Sequence, residues 1–280
     1  MKSLRPFHIA VLGALLLLVA YPILASGAES QTIVLASTTS VENSGLLAHI
    51  LPQFTKETGI EVHVIAQGTG QALATAAHGD ADLVLVHDPE AEAKFMAAGD
   101  GLSREEIAWN DIIFVGPKPD PAHLANTRDA VAALKMIAAS KVPFVSRGDK
   151  SGTDALEKRL WKAAGLDPGA AGCGWYRDIG GGIGAALNTA AAMNAYTLSD
   201  RGTWLSFGHK ADMAIVLEGD PRLLNRYDVI LLNPQTHPQA KQAPAHRFAS
   251  WLASSEVQAA IADYTIAGQR LFHPESDRKP

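Results

Sequence analysis

Three loops of this chain carry hydrogen-bond donors at a density that could do chemistry. Ser37, Thr38, Thr39 and Ser40 form an unbroken run of hydroxyls; the stretch Ser146 to Thr153 reads SRGDKSGT; and Ser199 to Thr203 reads SDRGT. Hydroxyls at a helix start satisfy free backbone N–H groups, and the same groups attract anions. Capping alone would account for one hydroxyl in each loop, not for four in a row. Arg147 and Arg201 add planar, permanently charged forks suited to an oxyanion. Taken singly, each is equally an ion-pair partner of its neighbour, Asp149 or Asp200. Gly68-Thr69-Gly70 adds a turn at which main-chain N–H groups can approach a ligand closely.

Other chemistries find little support. SRGDKSGT lacks the GxxxxGK[ST] spacing of a phosphate loop, and the acidic residue about twenty positions on from IGGGIG (Ile179 to Gly184), Asp200, is a poor match because it adjoins an arginine. The histidines form no HExxH pair, and His87, His209 and His237 stand apart. No GxSxG elbow occurs. A single cysteine, Cys173, allows neither an internal disulfide nor a thiolate metal cluster. With 24 basic and 29 acidic residues, the formal net charge of −5 offers no general attraction to nucleic acid.

The elements that must position these loops alternate. Thr32 to Ala36, Ile60 to Ala66, Leu83 to Val86, Ile112 to Val115, Pro143 to Val145, Ala195 to Leu198, Met213 to Leu217 and Val229 to Leu232 read as strands, most of them separated by helical patterns. Pro52 falls inside one such pattern and is expected to kink or split it. Alternation over 280 residues predicts an α/β fold of two lobes, each a mainly parallel sheet flanked by helices. Lobe 1 is expected over 29–115 and 228–280, and lobe 2 over 116–227. Lys2 and Arg5, the apolar run from Ile9 to Tyr21 and the small residues to Ala28 have the order of a secretory signal, so residues 1–28 are expected to be removed on export to the periplasm. The cleft between the lobes is the expected site.

The strings ASTTSVENSGLLAHILPQFTKETGIEVHVIAQGTGQAL, GDADLVLVHDP, NDIIFVGP, VSRGDKSGT, AYTLSDRGTW and NPQTHP, in this order, resemble the tungstate-binding proteins of ABC-type importers. The resemblance implies a periplasmic solute-binding protein of the two-lobed type II fold, without enzymatic activity or a cofactor. Its partners would be a membrane permease with a separate ATPase, and it would act as a monomer. By the same resemblance Thr38, Thr39, Ser40, Arg147, Ser151 and Thr153 contact the anion, tungstate or its near-twin molybdate, with Arg201 a looser carry-over. Thr69, Gly70 and Gly152 join the set through their turns. Position 37 is Ser where the family has Thr, and GGGIGAALN departs from the family's Gly-Gln-Gly-Met form. A phosphate or sulfate carrier is the alternative binder. An exported phosphoryl or sulfuryl ester hydrolase with Thr39 or Ser151 as nucleophile is the alternative enzyme. A fully deprotonated dianion calls for donors only, whereas hydrogen phosphate needs an acceptor, so Asp149 is expected to face the backbone or Arg147.

Overall fold

The computed structural model describes residues 31–170, 172, 174–274 and 277; the expected leader over 1–28 and Cys173 lie outside the described residues. The chain opens with β1 (Gln31–Thr38), α1 (Thr39–Asn43), α2 (Leu46–Thr58), β2 (Ile60–Gln67), α3 (Thr69–Ala77), β3 (Leu83–Val86) and α4 (Pro89–Ala97). The long β4 (Gly101–Pro117) leads to α5 (Ala130–Ser140), β5 (Phe144–Ser146), α6 (Gly152–Ala163), β6 (Tyr176–Asp178), α7 (Ile183–Met193), β7 (Tyr196–Asp200), α8 (Arg201–Ser206) and β8 (Met213–Leu217). Then come β9 (Leu224–Leu232), α9 (Gln242–Leu252), α10 (Ser255–Asp263) and a small hairpin of β10 (Thr265–Ile266) and β11 (Gln269–Arg270).

The strands form two mixed sheets joined through β4. One has the order β2-β1-β3-β9-β4, with β1 parallel to β2 and β3. The other runs β4-β7-β5-β6, with β5 parallel to β6 and β7, and β8 also lies on β4. Parallel pairing in each lobe follows the alternation in sequence. The antiparallel share is larger than expected because β4 and β9 cross between lobes and pair with each other. β4 pairs with β9 as far as Asp111 and takes up β7 from Ile112 onward.

Each sheet is buried on both faces, which is why its strands read as continuous apolar runs. In lobe 1, Leu35, Phe54, Phe248 and Ile261 fill one side, while Ala72, Val84, Phe95 and Ile230 fill the other. In lobe 2, Phe114, Leu134, Phe144 and Tyr196 pack opposite a layer of Ile113, Val145, Leu187 and Trp204. α2 runs unbroken through Pro52, against expectation. Pro52 and Ala48 are exposed, so water can serve the Ala48 carbonyl that proline leaves without an N–H donor. Among the described residues no helix is long and apolar enough to cross a membrane.

Candidate functional site

The hydroxyl run spans the carboxyl end of β1 and the glycine turn follows that of β2, while SRGDKSGT and SDRGT begin in the last residues of β5 and β7, at the strand ends where α/β sheets hold ligands. In lobe 1 the four hydroxyls divide. Ser37 is buried and donates to the Leu85 carbonyl at 3.0 Å, a strand contact. Thr38 caps α1, its Oγ1 accepting from the Val41 N–H at 3.3 Å. Thr39 is exposed at the helix start. Ser40 Oγ lies 3.0 Å from Thr38 Oγ1 and 2.9 Å from Nε2 of His87.

His87 is the residue that the reading by motifs missed. It sits at the end of β3, and its Nδ1 lies 2.9 Å from Asn225 Oδ1. Asn225 Nδ2 in turn donates to Asn110 Oδ1 and to the Tyr227 hydroxyl, both at 2.8 Å. That orients the amide so that the ring donates from Nδ1 and Nε2 accepts the Ser40 proton. Burial is the main reason the His87 pKa falls from 6.5 to about 4; the Asn225 bond opposes the fall and the nearby Arg147 charge adds to it. The ring is therefore neutral at neutral pH. Only its adjacency to Asp88, the N-cap of α4, was visible in the sequence.

The two lobes meet here. A Cβ added to Gly152, at the start of α6, would lie 2.8 Å from His87 Cε1 and 3.3 Å from Thr69 Oγ1. Close apposition thus depends on Gly152 having no side chain. Thr69 is 2% exposed, and its hydroxyl is a buried polar group without a hydrogen-bond partner among the described residues. Such a group ordinarily costs about 1–3 kcal/mol, so an unpaired donor at an interlobe contact suits a polar ligand. Gly70 follows it, exposed, in the first turn of α3.

Across the gap, Arg147 is 4% exposed and Ser151 and Thr153 are buried. Asp149 faces its own loop: Oδ2 accepts from Arg147 Nε at 3.1 Å and from NH2 at 2.5 Å, and Oδ1 accepts from the Ser151 N–H at 3.1 Å. Burial pushes this carboxyl up, but the Ser151 and Arg147 contacts together hold it below the usual range. Ser151 Oγ caps α6 by accepting from the Asp154 N–H at 3.3 Å. Gly148 makes the loop possible, with φ of 62° and Asp178 Oδ1 only 1.5 Å from where a Cβ would stand. The IGGGIG loop supports the same segment, the Gly181 N–H donating to the Arg147 carbonyl at 2.8 Å.

Arg201 is placed differently. Its Nε donates to Asp111 Oδ1 at 2.7 Å and its NH2 reaches both Asp111 Oδ2 and Glu218 Oε2. The hydrogen bond to Asp111 is the largest cause of a further rise in its already high pKa. With Trp109 and His273 it lines a cavity of about 600 Å³ at the hinge. Asp200 caps α8 by accepting from the Thr203 N–H and hydroxyl, each at 2.8 Å. Among the described residues no group of three or more His, Cys, Asp or Glu side chains is arranged to hold a metal ion.

Known proteins resemble this chain along most of its length. Residues 25–256 match the PBP superfamily domain. The tungstate-binding protein TupA of Peptoclostridium acidaminophilum is 45% identical over 249 residues, 88% of this chain and 86% of that protein. A solved tungstate-binding protein from Desulfovibrio alaskensis G20 superposes with a TM-score of 0.77 at 41% identity, covering 87% of this chain and 98% of that one. The structure described as the tungstate ABC transporter from Geobacter sulfurreducens gives 0.75 at 42% identity, covering 83% and 98%. By both sequence and fold, the chain belongs to the tungstate-binding proteins of the PBP superfamily.

Proposed function

We propose that this chain captures tungstate as a dianion between its lobes, outside the cytoplasm, and hands it to the permease of an ABC transporter. Lobe 1 would offer Thr39, Thr69 and the Gly70 N–H, together with Thr38 and Ser40 once their protons turn from Ser40 and His87 to the anion, and lobe 2 would offer Arg147, Ser151, Gly152 and Thr153. The observation that carries this reading is the buried, unpartnered Thr69 hydroxyl set against Gly152 at the interlobe contact. Donors dominate this lining, as a tetrahedral oxyanion without protons requires. Hydrogen phosphate would need an acceptor, and the carboxylates of Asp149 and Asp200 are engaged by their own loops. Arg201 acts instead as a hinge tie, because its fork is occupied by Asp111 and Glu218. The relatives are transport binding proteins, which removes the hydrolase alternative. Export would rest on the leader read over 1–28, and molybdate would be the close competitor.

A melting series with tungstate, molybdate, sulfate and phosphate tests this. Tungstate at a thousand times its Kd adds about 4.1 kcal/mol to stability. A large shift with tungstate and a negligible one with phosphate and sulfate is expected; equal shifts with all four would overturn the reading.

A further inference from the structure

Helix α6 touches lobe 1 at two levels. Its first residue, Gly152, lies against His87 and Thr69. Seven residues later, about 10 Å along the helix axis, Arg159 crosses the same gap. Its NH1 is 3.1 Å from Asp88 Oδ1, and its Nε is 3.6 Å from Glu90 Oε1. Asp88 follows His87 directly and accepts from the Glu90 and Ala91 N–H groups as the N-cap of α4. Lys158, just before Arg159, is turned to Asp154 within its own helix at 2.9 Å and does not share this task.

We propose that Arg159 is a positioning residue for anion capture: it latches α6 to the start of α4 and so holds Ser151, Gly152 and Thr153 over the anion. The proposal rests on the anion-binding reading above and deepens it. An ion pair between lobes exists only while the lobes are together, so it favours the closed state over the open one. The anion enters the open state, in which the pair is absent. The latch therefore acts on release and leaves capture nearly unchanged. The Asp88 side chain is 9% exposed and that of Arg159 31%, so salt reaches the pair and weakens it.

The experiment measures tungstate release from the full chain by exchange of isotopically labelled tungstate into excess unlabelled anion. Arg159→Met keeps the packing stem and removes the charge. It is expected to release tungstate about three- to tenfold faster, with association within about twofold of the native rate. Added salt should accelerate release from the native chain and have much less effect on Arg159→Met, a difference that a merely structural role would not produce. Asp88→Asn retains a capping oxygen and should show the same acceleration, with no further gain in the double variant. Unchanged release from Arg159→Met, or additive effects in the double variant, would overturn the latch. Failure of the native chain to bind tungstate would instead remove the reading beneath it. Melting temperatures without tungstate separate loss of the latch from loss of folding.

Discussion

Arg147 and Arg201 each follow a short strand of lobe 2 and each precede a glycine, but Arg147 lies in the loop before the Ser151 cap of α6, whereas Arg201 is the first residue of α8, after its Asp200 cap. Their partners differ. Arg147 is buried with one carboxylate, Asp149, which is itself held by the Ser151 N–H. Arg201 is drawn to two, Asp111 on β4 and Glu218 beyond β8. The Arg147 guanidinium has one bonded carboxylate and lies in the loop that leads to the interlobe contact, whereas the Arg201 guanidinium is tied by two carboxylates at the hinge. A motif containing arginine thus says little until the carboxylates around it are counted.

The largest effect that would sharpen this contrast is on binding. Arg147→Ala should weaken tungstate binding by about a hundredfold or more in calorimetry, since truncating a buried charged partner costs about 2–5 kcal/mol. Arg147→Lys, which keeps the charge without the fork, should recover part of it. Arg201→Met should do the reverse, lowering stability to denaturant by about 2 kcal/mol through the lost ties to Asp111 and Glu218 while changing tungstate affinity less than about threefold. Equal losses of binding in the two variants would break the contrast.

A smaller effect concerns the support beneath the Arg147 loop. Glu157, on α6, accepts from Trp161 Nε1 at 3.1 Å and from the Tyr176 hydroxyl at 2.9 Å, and burial raises its pKa from 4.5 to about 8. The native chain therefore holds a proton there that the unfolded chain releases above pH 4.5. This contribution to stability is full below that value and is lost as pH rises toward and through 8. Glu157→Gln should flatten that part of the stability profile, its advantage over the native chain growing from about pH 5 to about pH 8. Parallel profiles for the two chains would show that Glu157 does not titrate in this window.

Much of the framework was legible in the residues. Met213 to Leu217 is a strand as read, and the helix through Leu156, Leu160 and Trp161 follows its periodicity. The strand Ile112 to Val115 was legible, but its extension back to Gly101 was not. Leu102, Ser103, Arg104 and Glu105 are exposed along it, so no apolar run marks them; pairing with β9 makes them a strand. Nor was α8 legible, because six residues carry too little periodicity to show. For the site, hydroxyls, glycines and arginines announced donors by type alone.

Amino-acid order by itself determined the alternation of elements, the caps and the chemical character of each loop, because these depend on neighbours within a few residues. Tertiary structure alone decided which donors converge. His87, Ser40, Thr69 and Gly152 come from four separate strand-to-helix junctions. Asp111, 90 residues from Arg201, engages its guanidinium. Burial and charge at a site depend on groups that chain crossings bring together, and no local pattern records them.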